Sequence, residues 1–268
     1  MQENFLWIII MMKYSINGGT NAKQIEKNKT KTYLGNACYF NIFYTWNDIK
    51  RDIWIVAENG DDAKDNGYAF FKYAMENKSK KDIYYVITKK SIYYDKLKKY
   101  NKNLLYKNSL KHNIYTIAST KYISSQIGSG LPFPELVFNF QGTFIYRFKS
   151  IFLQHGITQN KVQCLLKNES KVDLFCCAGN KEYDFVINEL GYNEENAKKT
   201  GFCRYDLLKD ESKNSNKILM MFTWRKQFEN DEKTFLDSKY YSTIQDLIKD
   251  TRLSDLLEKE NLELYMCL

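Results

Sequence analysis

The chain has 268 residues, 44% of them hydrophobic and 27% charged, which is long enough and apolar enough for one large buried core or two modest ones. Its formal net charge of +8 suits anionic partners such as nucleic acid, an anionic membrane surface or phosphate-bearing substrates, but the lysines are spread along the chain, which argues against a nucleic-acid arm. No stretch is long and apolar enough to cross a bilayer, and the six cysteines contain no CxxC pair and no histidine at ligand spacing, which removes a zinc-type site and leaves free thiols in a reducing compartment. The 21 Tyr against 2 Pro fit a coding bias towards A/T-rich codons as well as they fit any role for the aromatics.

At the amino end, Phe5 to Met12 is apolar but lacks a basic flank and a small-residue cleavage site, so a strand or an interfacial segment is expected rather than a signal peptide. Ser15 to Lys31 is polar with Gly18-Gly19 and reads as a linker. Ordered sequence resumes near Tyr33, and from there short apolar runs alternate with amphipathic stretches. Asp52 to Ala57 reads as a buried strand, Asn66 to Asn77 as a helix and Asp82 to Thr88 as a second strand. A Lys-rich helical stretch near Leu97 follows, then a short strand at Leu104 to Tyr106, a helix around Ile114 to Ala118 and a strand at Lys121 to Ser125. Ser150 to Gln154 forms a strand running into His155-Gly156, and Val172 to Ala178 forms another before a helix carrying Tyr183, Val186 and Leu190. Alternation of this kind predicts an α/β doubly wound domain with a parallel sheet. A second unit is expected from Gly201, with a strand at Ile218 to Trp224, helical material from Tyr241 to Leu257 and a last strand from Asn261 that the chain end cuts short.

Two histidines are present. His155 stands just past an apolar strand, where open α/β sheets bind ligands, and the Gly156 beside it allows close approach. It is placed either as a general base or as a cap of its own strand. His112, near a helix start, reads as a surface or capping residue. Arg225, at the end of the Ile218 strand, is suited to bidentate phosphate binding. Arg204 can do the same or pair with Asp206. Asp61-Asp62 has no partner carboxylate at fitting spacing and reads as solvated loop, so no metal and no cofactor are assigned; P-loop, GxGxxG, GxSxG and HExxH motifs are missing.

Taken together, Arg51-Asp52-Ile53-Trp54, Asp65-Asn66-Gly67-Tyr68, Ser109-Leu110-Lys111-His112, Leu153-Gln154-His155-Gly156, Thr200-Gly201-Phe202-Cys203-Arg204 and Thr223-Trp224-Arg225 resemble, in order and spacing, the CDP-glycerol:poly(glycerophosphate) glycerophosphotransferases of teichoic-acid synthesis. The resemblance implies a GT-B-like pair of Rossmann-like domains: an N-terminal segment and linker over 1–32, an acceptor-side domain over 33–200 and an incomplete donor-side domain over 201–268. It implies His155 as the base for an acceptor hydroxyl, with Gly156, Arg204, Arg225, Asn66 and Gly67 at the substrates. The partners it implies are a CDP-glycerol or similar CDP-alditol donor and a lipid-linked or polymer acceptor, without nucleic acid. The place it implies is the cytoplasm, peripherally at the inner face of the membrane. Phe222 stands where the family has Pro. Family members also continue past the last strand to a second His-containing segment and a DYSS-type motif, so this chain is expected to lack much of the donor site. A non-catalytic binding remnant is the alternative that this leaves open.

Overall fold

The computed structural model describes residues 52–143, 146–210, 212–223, 225–229 and 231–267. The amino-terminal apolar segment, the 15–31 linker, Cys38, Arg51 and Trp224 lie outside the described residues. Two compact units divide between Leu208 and Lys209, so residues 201–208, assigned from sequence to the second unit, belong to the first. The physical reason is local: Phe202 is buried and Arg204 is bonded to the start of the first helix, which ties this segment to the first unit.

The first unit is a seven-stranded, wholly parallel sheet. Its strands are β1 (Ile53–Ala57), β2 (Asp82–Ile87), β3 (Leu104–Tyr106), β4 (Ser119–Ser124), β5 (Lys149–Phe152), β6 (Leu174–Cys177) and β7 (Ala197–Lys199), in the order β3-β2-β1-β4-β5-β6-β7. Crossovers are made by α1 (Asn66–Glu76), α2 (Tyr94–Leu97) with a 3-10 stretch at Lys98–Asn103, α3 (Leu110–Ala118), α4 (Pro134–Phe140) and α5 (Asn180–Leu190). Successive side chains of a strand point to opposite faces. Ile53, Ile55 and Ala57 of β1 therefore join Tyr122 and Val137 in one core layer, with Tyr115 and Phe138 packed against it. Val56 points the other way, into a layer with Phe71 and Ala74 of α1 and with Leu97. Covering both faces is what demands the near-continuous apolar runs of β1 and β2. A third layer, built on Phe152, Phe175 and Val186, seats α5 on the far half of the sheet.

The chain leaves β1 towards β2 and β3 and returns on the other side as β4, so the strand order reverses between β1 and β4. A crevice opens at such a point beyond the carboxyl ends of the strands. The backbone pairing continues past the strand ends there, with Ser125 N donating to Ala57 O at 3.2 Å and Leu153 N donating to Ser124 O at 2.8 Å.

The second unit holds a parallel pair, β8 (Lys217–Met221) and β9 (Glu263–Cys267), with helices α6 (Glu232–Leu236), α7 (Lys239–Lys249) and α8 (Thr251–Lys259) between them. The helical material expected from Tyr241 to Leu257 is divided between α7 and α8. Asp250 ends the first with an extended backbone and caps the second through a bond from Arg252 N at 2.9 Å. Among the described residues no helix is long and apolar enough to cross a membrane.

Candidate functional site

At the carboxyl edge of the first sheet, β5 runs out through Leu153 and Gln154 to His155. Gln154 adopts φ +62°, a left-handed backbone that a non-glycine residue holds only when its surroundings fix it. They do: its carboxamide donates to Cys176 O at 2.6 Å and accepts from Thr158 Oγ1 at 2.7 Å, and the side chain is buried. Buried Glu182, in the first turn of α5, accepts from Ala178 N at 2.6 Å and also holds Thr158 N. The turn is thus braced from the end of β6 and the first turn of α5, and His155 beyond it is exposed.

The His155 ring places Nδ1 3.2 Å from Ser125 O, at the end of β4. A carbonyl oxygen only accepts, so Nδ1 carries a proton, and in the neutral imidazole the lone pair then lies on Nε2. That is the form a general base requires. Gly156 is exposed, and a Cβ built on it would meet nothing within 4 Å among the described residues, so they leave the ground beside His155 open.

The amino end of α1 closes the other side. Glu58, buried at the end of β1, accepts from Lys64 N at 3.1 Å, Asp65 N at 2.8 Å and Tyr68 N at 2.9 Å. Burial pushes its carboxyl above the usual carboxylate range, and those three N–H bonds work against that shift. Gly67 N donates to Ser125 Oγ at 2.7 Å, and a Cβ on Gly67 would sit 2.8 Å from Ala57 O. Only glycine lets α1 approach the end of β1 this closely. With its first N–H groups taken by Asp65, Ser125 and Glu58, this helix start offers no free donors to an anion.

The structure therefore gathers His155, Gly156, Asn66, Gly67 and Arg204 at the β1–β4–β5 edge. Asn66 is fully enclosed, and its amide spans the carbonyls of Leu153 and Gln154, at 3.3 and 2.8 Å. Its Oδ1 accepts from Arg204 N at 3.0 Å. Arg204 does not pair with the neighbouring Asp206; its Nη1 bonds to Asp65 and, at 2.9 Å, to His155 O. Arg225 lies in the second unit, exposed, with its guanidinium 5.3 Å from the Tyr240 ring centre, and is described there by itself.

His112 is buried rather than on the surface, and it caps the turn before α3 by accepting from Asn108 N at 3.1 Å. Cys176 and Cys177 are pushed up to about 11 and about 12 by burial, and Cys203 also rises, so these thiols stay protonated and make poor nucleophiles. Cys164 and Cys267 are exposed. Among the described residues no group of three His, Cys, Asp or Glu side chains converges as a metal site.

Sequence comparison gives this arrangement its family. Residues 39–262 match the CDP-glycerol:poly(glycerophosphate) glycerophosphotransferase family. The chain belongs to that family. A curated relative, the minor teichoic acid biosynthesis protein GgaB of Bacillus subtilis (strain 168), is 32% identical over 97% of this chain and 30% of its own length. The chain thus spans about a third of that relative. Two solved structures of the wall teichoic acid polymerase TagF align at 13% identity each. One covers 92% of this chain and 66% of its own, with a TM-score of 0.49. The other covers 78% and 58%, with a TM-score of 0.45. Scores of this size carry no argument about the site, which rests on the geometry above.

The bracing roles of Ser125, Gln154, Glu182 and Glu58 are not among the expectations drawn from sequence. Ser125 acts on His155 through its backbone carbonyl, which any residue supplies, so its type carried no signal for that bond. Asp65 did carry one, as an N-cap residue directly before the helical pattern of α1.

Proposed function

We propose that the chain transfers glycerol phosphate, or a related alditol phosphate, from a CDP-activated donor to a hydroxyl of a lipid-linked or polymer acceptor in teichoic-acid-type synthesis. The observation that carries the reading is the exposed His155 ring, held with Nδ1 on Ser125 O beside the open ground at Gly156. Family membership supplies the substrate class.

In this reading His155 Nε2 takes the proton of the acceptor hydroxyl as that oxygen attacks the β-phosphorus of the donor. The new O–P bond forms as the bond to the CMP oxygen breaks, and CMP leaves with the electron pair of that bond. Phosphoryl transfer asks for positioning and charge stabilisation more than for a covalent intermediate, which suits a site whose neighbouring thiols are protonated. Arg225 is the candidate to neutralise donor phosphate charge, since its guanidinium is exposed. Gly156 leaves room for the acceptor, and Gly67 sets how near α1 comes to it. In this reading a lipid-linked acceptor would be met at the inner face of the membrane, with the protein attached peripherally.

The test is transfer of label from CDP-glycerol to a soluble or lipid-linked acceptor analogue, comparing this chain with His155→Ala. Loss of a general base is expected to lower kcat on the order of 100- to 10,000-fold with the fold, followed by circular dichroism, unchanged. Equal rates in the two proteins would remove His155 from the chemistry. A folded chain that binds CDP-glycerol but transfers nothing would make it a binding remnant of such an enzyme.

A further inference from the structure

We infer that Asn66 and Arg204 are positioning residues for His155, forming a clamp that sets the tautomer and direction of its ring without touching substrate. The inference rests on the reading of His155 as the base. Its physical content is separate, because it concerns where a proton sits on the imidazole.

The clamp is built from the bonds each group makes. Asn66 is 0% exposed, so no substrate reaches its carboxamide, yet that amide spans the two carbonyls immediately before His155. Its oxygen accepts from the backbone of Arg204, which fixes the 203–207 turn against α1. Arg204 then reaches past Asn66 and places Nη1 between the Asp65 carboxylate and the carbonyl of His155 itself. The carbonyls of Leu153, Gln154 and His155 are therefore each held by one of these two side chains.

Three consecutive carbonyls in a left-handed turn do not hold themselves; among the described residues no ladder partner runs along that stretch beyond Leu153 N. Asp65 balances the guanidinium, and its side chain is only 19% exposed, so this pair is less screened than a surface ion pair. With the backbone fixed, His155 Nδ1 meets Ser125 O, and Ser125 is in turn tied to Gly67 N and Ala57 O. Releasing the clamp frees the ring to leave that carbonyl. Nε2 would then carry the proton part of the time and be unable to accept another.

The experiment uses the imidazole nitrogens as the readout. The chain has two histidines, and they report opposite states: His155 donates through Nδ1, whereas His112 accepts there from Asn108 N and so holds its proton on Nε2. In 15N spectra of histidine-labelled protein, wild type shows one of each. Asn66→Asp keeps the shape but sets an oxygen against two carbonyls, and Arg204→Gln, at a site 30% exposed, replaces the guanidinium that reaches His155 O by a shorter neutral carboxamide, with less risk to folding. Both variants are expected to move the His155 signals towards the Nε2–H form and leave those of His112 in place. Transfer should fall on the order of ten- to a hundredfold in kcat with KM for the donor unchanged. Arg204→Lys, which can still donate to His155 O, should recover part of both effects.

An unchanged His155 tautomer in folded Arg204→Gln would overturn the inference, as would a rise in KM at constant kcat, the mark of lost substrate contact. If wild type transfers nothing, the function proposed above fails, and the nitrogen spectra still decide the clamp.

Discussion

His112 shows how one buried side chain sets a pH limit on the fold. Its Nδ1 accepts from Asn108 N, its Nε2 has no partner among the described residues, and the ring is fully enclosed. Burial, aided by the charge of Lys107, pushes its pKa down from 6.5 to about 4. Between these values the unfolded chain binds a proton that the folded chain refuses. Stability linked to His112 is therefore complete above 6.5 and is lost as pH falls towards about 4. The full shift corresponds to about 3 kcal/mol. His112→Asn, which keeps an acceptor but does not titrate, should show a smaller fall in urea midpoint between about pH 7 and pH 4.5 than wild type. Parallel falls would mean that other groups control the acid limb.

The two histidines also mark how far residue-level reading goes. The place of His155 was legible because an apolar strand gives way to His-Gly at a sheet edge. Its partners were not, since Ser125 O and Asp65 reach the site through the fold: Asp65 and Arg204 are 139 positions apart. Sequence offered Arg204 its neighbour Asp206, and the structure gives it the more enclosed Asp65.

At the scale of elements, α1 couples fold to site. Its first turn carries Asn66, its N-cap is Asp65, and its approach to β1 is set by Gly67. Gly67→Ala would press a methyl to 2.8 Å from Ala57 O, a backbone atom that cannot rotate away. The expected cost is about 1–3 kcal/mol of stability. Because α1 must shift to relieve the contact, the bond from Gly67 N to Ser125 Oγ should weaken too, and transfer should fall by more than the unfolded fraction explains. Melting and rate measurements on one preparation separate the two effects. A variant as stable and as active as wild type would show that α1 tolerates the displacement.

The elements that sequence did reveal are those whose burial dictates their composition. Interior parallel strands such as β1, β2 and β6 are covered on both faces and must be apolar throughout. The strand β7 has three residues, of which Ala197 alone is buried, so it carries no such pattern. The helix α4 was not among the expectations, although Pro134 stands in its first turn, a position where a missing N–H costs nothing. The break between α7 and α8 was also written in the chain, as an Asp at position 250 able to cap the second helix.

Across the whole molecule, the two units differ in how their sheets are protected. In the first, β1 and β4 are interior strands with packed layers on both faces. In the second, β8 and β9 form a two-stranded parallel pair whose apolar residues Leu219, Met221 and Tyr265 are 65%, 68% and 49% exposed. The apolar run from Ile218 to Trp224 gave the expected strand, but the sequence records what a strand is suited to and not what covers it. A parallel pair of this size is marginal without packing on its faces. Local opening should then be far easier here than in the first sheet, since amide protection depends on burial and pairing. In hydrogen–deuterium exchange, 217–221 and 263–267 are expected to exchange at least about tenfold faster than 53–57 and 119–124. Adding CDP-glycerol or acceptor should slow exchange in whichever unit it contacts, which places each substrate independently of any rate. Equal protection in the two sheets would mean that β8 and β9 are covered in solution, and a search for the covering surface would begin from their apolar faces.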